Sequence, residues 1–433
     1  MDKYSFFYKI PDNWYWTKLG KITSIIGGGT PSSKINEYYD NGDIAWITPS
    51  DLSNYNNMYI SKGKKMITKL GLMKSSAKLL PKGTVCLSSR APIGYVVIAK
   101  NELSTNQGFK SFLPSKVFKS EYLYWYLKSI KHILEAKASG TTFLELSAKK
   151  AGEVEIPLPP ISEQQRIVNR IESLFVKLDR AKELIENTLA QFEQNKMAIL
   201  HKAFIGELTA KWRKENNIDL SSWEKIKLGK VLLPMQTKKP TGQFFRYIDI
   251  DAIDNKRQIV KAPKLILTEK APSRASRGVE TGNILFSMVR PYLKNIAQID
   301  SDLSDCIAST GFYVCRCKPE LNSRFLYYLF IFDKTIDYLM QFMKGDNSPS
   351  IRKDDLLNMK IDLPTIEEQQ EIVNILDNLL AKYNKIKNLE QQLEKIELLK
   401  KAILAKAFRG ELGTNNPDEE SAENLLKEIL AEK

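Results

Sequence analysis

Apolar positions step by three and four residues along two stretches of the chain. The first set is Ile171, Leu174, Leu178, Ala181, Ile185, Phe192 and Ile199, with Thr188 in step; the second is Leu376, Leu379, Tyr383, Ile386, Leu389, Leu393, Ile396 and Ile403. A stripe this narrow is a heptad seam, suited to burial against one partner helix. Each stretch opens on a shared phrase, IPLPPISEQQRIVN from Ile156 to Asn169 and IDLPTIEEQQEIVN from Ile361 to Asn374, identical at ten of 14 positions. Each then runs roughly forty residues without Pro or Gly, long for a globular helix. Both close on a second shared phrase, AILHKAFIGEL (Ala198–Leu208) and AILAKAFRGEL (Ala402–Leu412). The offset between copies is 205 up to Ile386 and 204 from Leu389, so the seam shifts locally by one residue.

Both copies carry start and stop signals. Pro159 and Pro364 keep the preceding backbone extended. Ser162 or Glu163, and Glu367 or Glu368, are expected to cap or charge the first turn. Gly206 and Gly410 suit the left-handed position past the last turn. Such a helix is ~65 Å long and, being polar over most of its surface, needs a partner for its seam. The nearest candidate is the other copy. Antiparallel pairing would relate the two halves of the chain by a pseudo-two-fold axis and put a globule near each end.

Outside the helices, short apolar runs alternate with turn signals. KITSII, DIAWI, GTVCLSS and APIGYVVIA read as strands, followed by a helical stretch from Ser120 to Ala138. The order of signals recurs later: Trp14 with LGKI against Trp223 with LGKV, KGTVCLSSRAP against TGNILFSMVRP, NQGF against STGF, EYLYWYL against RFLYYLF. The expected organisation is α+β: a globule over 1–155, a helical spacer over 156–212, a second globule over 213–360, a second spacer over 361–412, and a tail over 413–433 with a short helix. The chain is a tandem duplication whose helices diverged little and whose globules diverged a lot.

Charge narrows the partner. The chain has 433 residues and a formal charge of +14, which favours a polyanion. The four cysteines form no C-x-x-C and the two histidines lie far from them in sequence, so a zinc site is not expected and buried, reduced thiols are. No stretch approaches 18 consecutive apolar residues, and the cytosol is the expected compartment. Two unlike globules on a paired scaffold suit two unlike half-sites on DNA.

Loops held by a scaffold are the expected readers. In the first globule, Gly28, Gly29, Thr30 and Ser32 offer close backbone approach to phosphate or a plain tight turn. Arg90 suits guanine and Gln107 suits adenine. Thr141 and Thr142 offer hydroxyls to phosphates. In the second globule the candidates are Lys238, Lys239, Arg246, Arg274, Arg277, Arg290, Lys294, Lys344, Arg352 and Lys353, several expected to neutralise phosphates. The cluster Tyr122, Tyr124, Trp125 and Tyr126 reads as core.

Catalytic signatures are missing. There is no G-x-x-x-x-G-K-[ST], no Ser-His-Asp pattern and no Asn/Asp-Pro-Pro-aromatic tetrapeptide. A self-contained DNA methyltransferase or nuclease, and a coiled-coil scaffold without DNA readout, are the alternatives to a DNA reader. The repeat phrases, with GGGTPS, DIAWITPSDL, LSSRAPIG, NQGFK and the tail NNPDEESAENLLKEIL, resemble the DNA-specificity subunit of Type I restriction–modification systems across essentially the whole chain. The resemblance implies that each globule is a target-recognition domain for half of a bipartite, asymmetric site. It implies that the paired helices space the globules and dock two methyltransferase subunits, and that restriction (motor–nuclease) subunits join that core. S-adenosylmethionine, ATP and Mg²⁺ would then belong to the partners, with no cofactor, metal or catalytic residue on this chain.

Overall fold

The computed structural model describes residues 8–140, 144–384 and 387–431. The chain forms two compact units, residues 1–184 with 391–433 and residues 185–390. Each unit therefore takes one globule together with part of both repeat helices. The reason lies in how the shared phrases dock.

In the first unit a five-stranded sheet has the order Ile25–Gly27, Phe109–Phe112, Val85–Ser89, Ile93–Ala99, Tyr59–Ile60. A three-stranded sheet has the order Lys65–Ile67, Ile44–Ile47, Ser104–Thr105. Three of the four expected strands are present; KITSII is instead a helical turn, Leu19–Ile22, followed by the short strand Ile25–Gly27. That turn lies against another backbone: a Cβ on Gly20 would stand 3.2 Å from Gly152 Cα. The helix Ser120–Ser129 buries Tyr122, Tyr124, Trp125 and Tyr126 in the core, as their spacing implied. A ribbon pairs Tyr15–Lys18 antiparallel with Glu155–Leu158 and delivers the chain to the first long helix, Ile161–Phe204.

The second unit repeats the scheme. Its sheets run Leu232–Leu233, Phe312–Cys317, Ile284–Ser287, Ile296–Gln298, and Lys264–Leu267, Phe244–Ile248, Ile307–Ser309, Ala275–Gly278. The ribbon Glu224–Lys227 with Lys360–Leu363 leads into the second repeat helix, described as Ile366–Asn384 and Lys387–Ala407.

The Glu-Gln-Gln of each phrase is an anchor. Glu163 is fully buried and accepts hydrogen bonds from the Trp14 indole N–H at 2.8 Å and the Asn415 amide at 2.9 Å. Glu368 is likewise buried and accepts from the Trp223 indole at 2.9 Å and the Thr209 hydroxyl at 2.7 Å, and it ion-pairs with Arg213. Both glutamates put negative charge in the first turn, as expected; their burial adds what the sequence did not show, since a buried carboxylate must find donors and tertiary partners supply them. The next residue stitches each helix to its own globule. Gln164 accepts from Lys119 N at 2.8 Å and donates to Val117 O and Pro159 O. Gln369 accepts from Asn322 N at 2.8 Å and donates to Glu320 O and Pro364 O. The second glutamines, Gln165 and Gln370, donate to Asn169 and Asn374 one turn on, both at 3.0 Å.

The closing phrases dock too. Gly206 and Gly410 adopt the left-handed conformation expected of them, with φ of 81° and 75°. Phe204 stacks on Phe332 and meets Phe325 edge-on in the second unit. Phe408 packs edge-on against Tyr122 and Tyr126 in the first. The tail continues there: Arg166 donates two bonds of 2.7 Å to Glu419, and Ala422 and Leu426 enter the same core.

Within the first unit the two helices run antiparallel. Lys182 pairs with Glu397 at 3.5 Å and Asp179 with Lys400, so one number falls by three as the other rises by three. Leu174, Leu178 and Leu393 are half-buried in this unit and Ile396 is buried. In the second unit Ile185, Phe192 and Leu379 are half-buried. Ile171 and Leu376, first in each heptad run, belong to the globule cores instead. The Tyr383 side chain and Ile386 lie outside the described residues.

Removing one member of a buried ion pair strands the other. Glu368→Ala should therefore destabilise the chain by about 3–5 kcal/mol, and Glu368→Ala with Arg213→Met by clearly less. Urea unfolding followed by tryptophan fluorescence checks this; equal losses would mean the pair is not the source.

Candidate nucleic-acid interface

In the first unit, four separate segments meet at one end of the five-stranded sheet. Register fixes this: Gly27 lies opposite Lys110, and Ser88 opposite Phe109. The Gly28–Ser32 loop, the Asn106–Gly108 turn and the Arg90–Pro92 turn therefore leave from the same edge. The fourth segment, between Ser139 and Glu145, is closed by two hydrogen bonds between those residues and is tied on through Leu146 N to Ser89 O at 2.9 Å.

Each sequence candidate now has a place. Gly28 and Gly29 are packed against the chain's own backbone: a Cβ on Gly28 would fall 1.9 Å from Asn106 O, and one on Gly29 2.1 Å from Ala77 N. Their lack of side chains is thus accounted for by packing, without a phosphate. Thr30 is exposed and donates its hydroxyl to Gln107, while Ser32 is exposed beside it in the loop. Arg90 is half-buried, with Nη1 at 3.5 Å from Glu145 Oε2. The other Glu145 oxygen accepts from Lys110 Nζ at 3.0 Å, and Lys110 is nearly buried. Glu145 thus holds two cations at the rim of this end. Thr141 and Thr142 lie outside the described residues.

The second unit builds the same end with other side chains. Met288 N donates to Gly311 O at 2.9 Å, as Ser89 N does to Gly108 O at 2.7 Å. Lys344 and Ser350 close a loop by two hydrogen bonds, and Ile351 N ties it to Met288 O at 3.0 Å. Residues 344–350 follow 139–145 at the 205-residue offset of the helices. The residue before the proline has a left-handed backbone in both units, φ 46° at Ala91 and 48° at Arg290. Such a conformation is costly for a residue with a side chain and collects at functional positions. Arg290 is exposed and donates Nη2 to Asn347 O at 2.8 Å. Arg274 reaches the same end through its carbonyl, which accepts from Thr310 N.

The remaining candidates divide by what already occupies them. Arg246 is ion-paired with Asp305 and bonded to Asp302 O; that contact holds the Asp305 carboxyl below the usual carboxylate range. Lys294 points inward to Asp333 and Ile331 O. Both were expected to meet phosphates and instead neutralise the protein's own acids. Lys238, Lys239, Arg274, Arg277, Arg352 and Lys353 have no carboxylate partner among the described residues. Lys238 and Arg277 are neighbours, linked by the bridge of Thr237 to Arg277, and Arg277 Nε is buried without an acceptor. Arg352 N is bonded to Asp355 at the start of the helix Lys353–Leu357. Lys110 and Glu145 were missed, and of the loop 344–350 only Lys344 was singled out; the 205-residue offset, carried back past the shared phrase, would have found the rest.

The chemistry at both ends is that of a reader: exposed hydrogen-bonding and cationic side chains on loops held by a rigid sheet. Burial pushes the Cys86 thiol up to about 12, away from nucleophilic use.

A family model described as the Type I restriction modification DNA specificity domain matches residues 11–193 and again 223–398. The chain is 30% identical to the Type I restriction enzyme MjaIX specificity subunit of Methanocaldococcus jannaschii, over 93% of this chain and 94% of that one. It is 28% identical to the EcoDI specificity subunit of Escherichia coli, over 73% and 77%. Among solved structures, the HsdS subunit from Thermoanaerobacter tengcongensis aligns at a TM-score of 0.59 with 21% identity, over 93% of this chain and 98% of that one. A structure from work on complex assembly and conformational transition of the type I R-M system aligns at 0.70 with 21% identity, over 93% and 100%. These two likenesses show the fold.

Ala91 already occupies the left-handed position equivalent to Arg290, so Arg290→Ala removes the guanidinium without adding backbone strain. The expected result is a loss of about 1–3 kcal/mol in DNA affinity with an unchanged melting temperature, read by fluorescence anisotropy and circular dichroism.

Proposed function

The chain belongs to the Type I restriction–modification DNA specificity family, with two tandem recognition domains, and from that premise we propose how it divides the work. Each globule reads one half of a bipartite, asymmetric site in double-stranded DNA through the loop cluster at one end of its sheet. The observation that carries this is the recurrence of one backbone arrangement with different side chains. Ser89, Gly108 and the Ser139–Glu145 pair recur as Met288, Gly311 and the Lys344–Ser350 pair. Equal geometry places a reader in a groove, and unequal side chains select unequal bases.

The helices serve as spacer and as platform for two methyltransferase subunits, and restriction subunits complete the assembly. Methylation and cleavage are then activities of the complex, with S-adenosylmethionine, ATP and Mg²⁺ on the partner subunits and none on this chain. Three features support a role without chemistry of its own: the missing nucleotide-binding and methyltransferase motifs, the burial of three of the four thiols, and relatives that are themselves specificity subunits. No helix among the described residues is long and apolar enough to cross a membrane, which is compatible with work on cytoplasmic DNA.

Replacing residues 213–360 with the corresponding segment of a relative, and mapping methylated adenines in cells carrying the whole system, tests the division. One half-site should change and the other persist. If both change, or neither does, the globules do not read independently.

A further inference from the structure

Between Asp51 and Glu102 the chain has no acidic residue and nine basic ones. Seven of these, Lys62, Lys64, Lys65, Lys69, Lys74, Lys78 and Lys82, lie within 21 residues. A solvated lysine face is common, but this one is built. Ile67, Gly71, Ala77 and Leu80 are buried and pin the segment down, while all seven lysines between and beside them are exposed. None pairs with a carboxylate among the described residues. The nearby Asp51 is engaged by Thr48 N at 2.7 Å and Lys64 N at 2.9 Å, both backbone donors. Elsewhere many surface cations are answered by acids: Arg90 and Lys110 by Glu145 in this globule, and Arg246, Lys264 and Arg316 in the second.

The placement gives the lysines a direction of use. Lys65–Ile67 is the edge of the three-stranded sheet, and the strand at the other edge, Ser104–Thr105, leads straight into Gln107. Two strand spacings separate those edges by about 10 Å. The Gly28–Ser32 loop lies between the two regions: Gly29 N bonds Thr105 O at 2.9 Å, and its Cα faces Ser76 and Ala77, flanked by Lys74 and Lys78. The major groove is about 12 Å wide between its phosphate walls. Base edges lie between the walls, about 6 Å from each, so lysines about 10 Å to the side of a base-reading Gln107 fall at a phosphate backbone, within the reach of their own side chains.

We propose that Lys62, Lys64, Lys65, Lys69, Lys74 and Lys78 form a phosphate-binding row. It holds the duplex backbone beside the half-site read by the first globule and supplies sequence-independent affinity there. The row fixes position and carries no base preference of its own. The proposal rests on the DNA-reading function and deepens it.

The test uses the full chain and a random-sequence duplex of about 30 base pairs, titrated by fluorescence anisotropy between about 50 and 200 mM KCl. Each phosphate that goes unneutralised should flatten the plot of log K against log salt by about 0.9. Replacing the six lysines with glutamine should flatten it by about 2 or more, and replacing them with arginine should restore the wild-type slope. A smaller change with glutamine overturns the row. If the unaltered chain binds the duplex without salt dependence, the DNA-reading function itself fails. Should the six-fold variant melt early, amine acylation of the unaltered chain decides: the duplex should shield Lys74 and Lys78, and equal labelling with and without DNA overturns the proposal. Pelleting with phosphatidylserine vesicles that the glutamine variant loses, at an unchanged duplex slope, would assign the row to a membrane and overturn it as well.

Discussion

At the entrance to each long helix a buried carboxylate meets a tryptophan N–H, and the arrangement of both units follows from that contact. A carboxylate with no exposure is tolerated only where donors converge on it. Glu163 therefore requires Trp14, from the start of the first globule, and Asn415, from the tail. Glu368 requires Trp223, and Thr209 and Arg213 from the segment just past the first helix. Each site ties three stretches of chain distant in sequence: a globule, the helix leaving it, and the segment that follows the other helix. Gln164 and Gln369 then set each helix on its globule through one accepted and two donated bonds.

This explains why the helices repeat so closely while the globules do not. The identical Glu-Gln of the shared phrase has a docking task repeated in both units, the second Gln and the Asn bond each other along the helix, and the identical apolar residues Ile167, Val168, Ile372 and Val373 enter the globule cores. The constraint is the socket as much as the seam between helices. Loops at the far end of the sheets carry no such burden, so their side chains can differ while the backbone repeats. The two anchors are nonetheless not interchangeable. Arg213 pairs with Glu368, whereas Arg166 pairs with Glu419, and the position matching Arg166 in the second helix is Glu371. A tail bearing Glu419 would meet like charge at the second anchor, which opposes docking at the wrong globule.

The distribution of cations follows a similar logic of pairing. Arg246 and Lys294 answer acids within their own globule, and so cannot be assigned to DNA from charge alone. Arg290 is left at the surface on a left-handed backbone, held by a carbonyl of the neighbouring loop rather than by an acid. An arginine held this way keeps its full charge and a limited set of orientations, which suits a planar hydrogen-bonding surface.

The amino-acid sequence by itself determined the duplication, the long helices with their glycine ends, most strands of the first globule, and the burial of Tyr122 to Tyr126. Those are periodicities of two and of three to four, and backbone preferences of Gly and Pro, which act over a few residues. It also carried the equivalence of 139–145 and 344–350 in a plain offset. Tertiary structure alone decided that Glu163 and Glu368 are interior anchors, because an acid at a helix start looks the same in sequence whether it faces water or an indole 149 or 145 residues earlier. It alone decided which arginines and lysines are already neutralised, since Arg246 finds Asp305 59 residues away. And it alone divided each helix between two units, because where a helix docks depends on the surfaces that meet it, not on its own pattern.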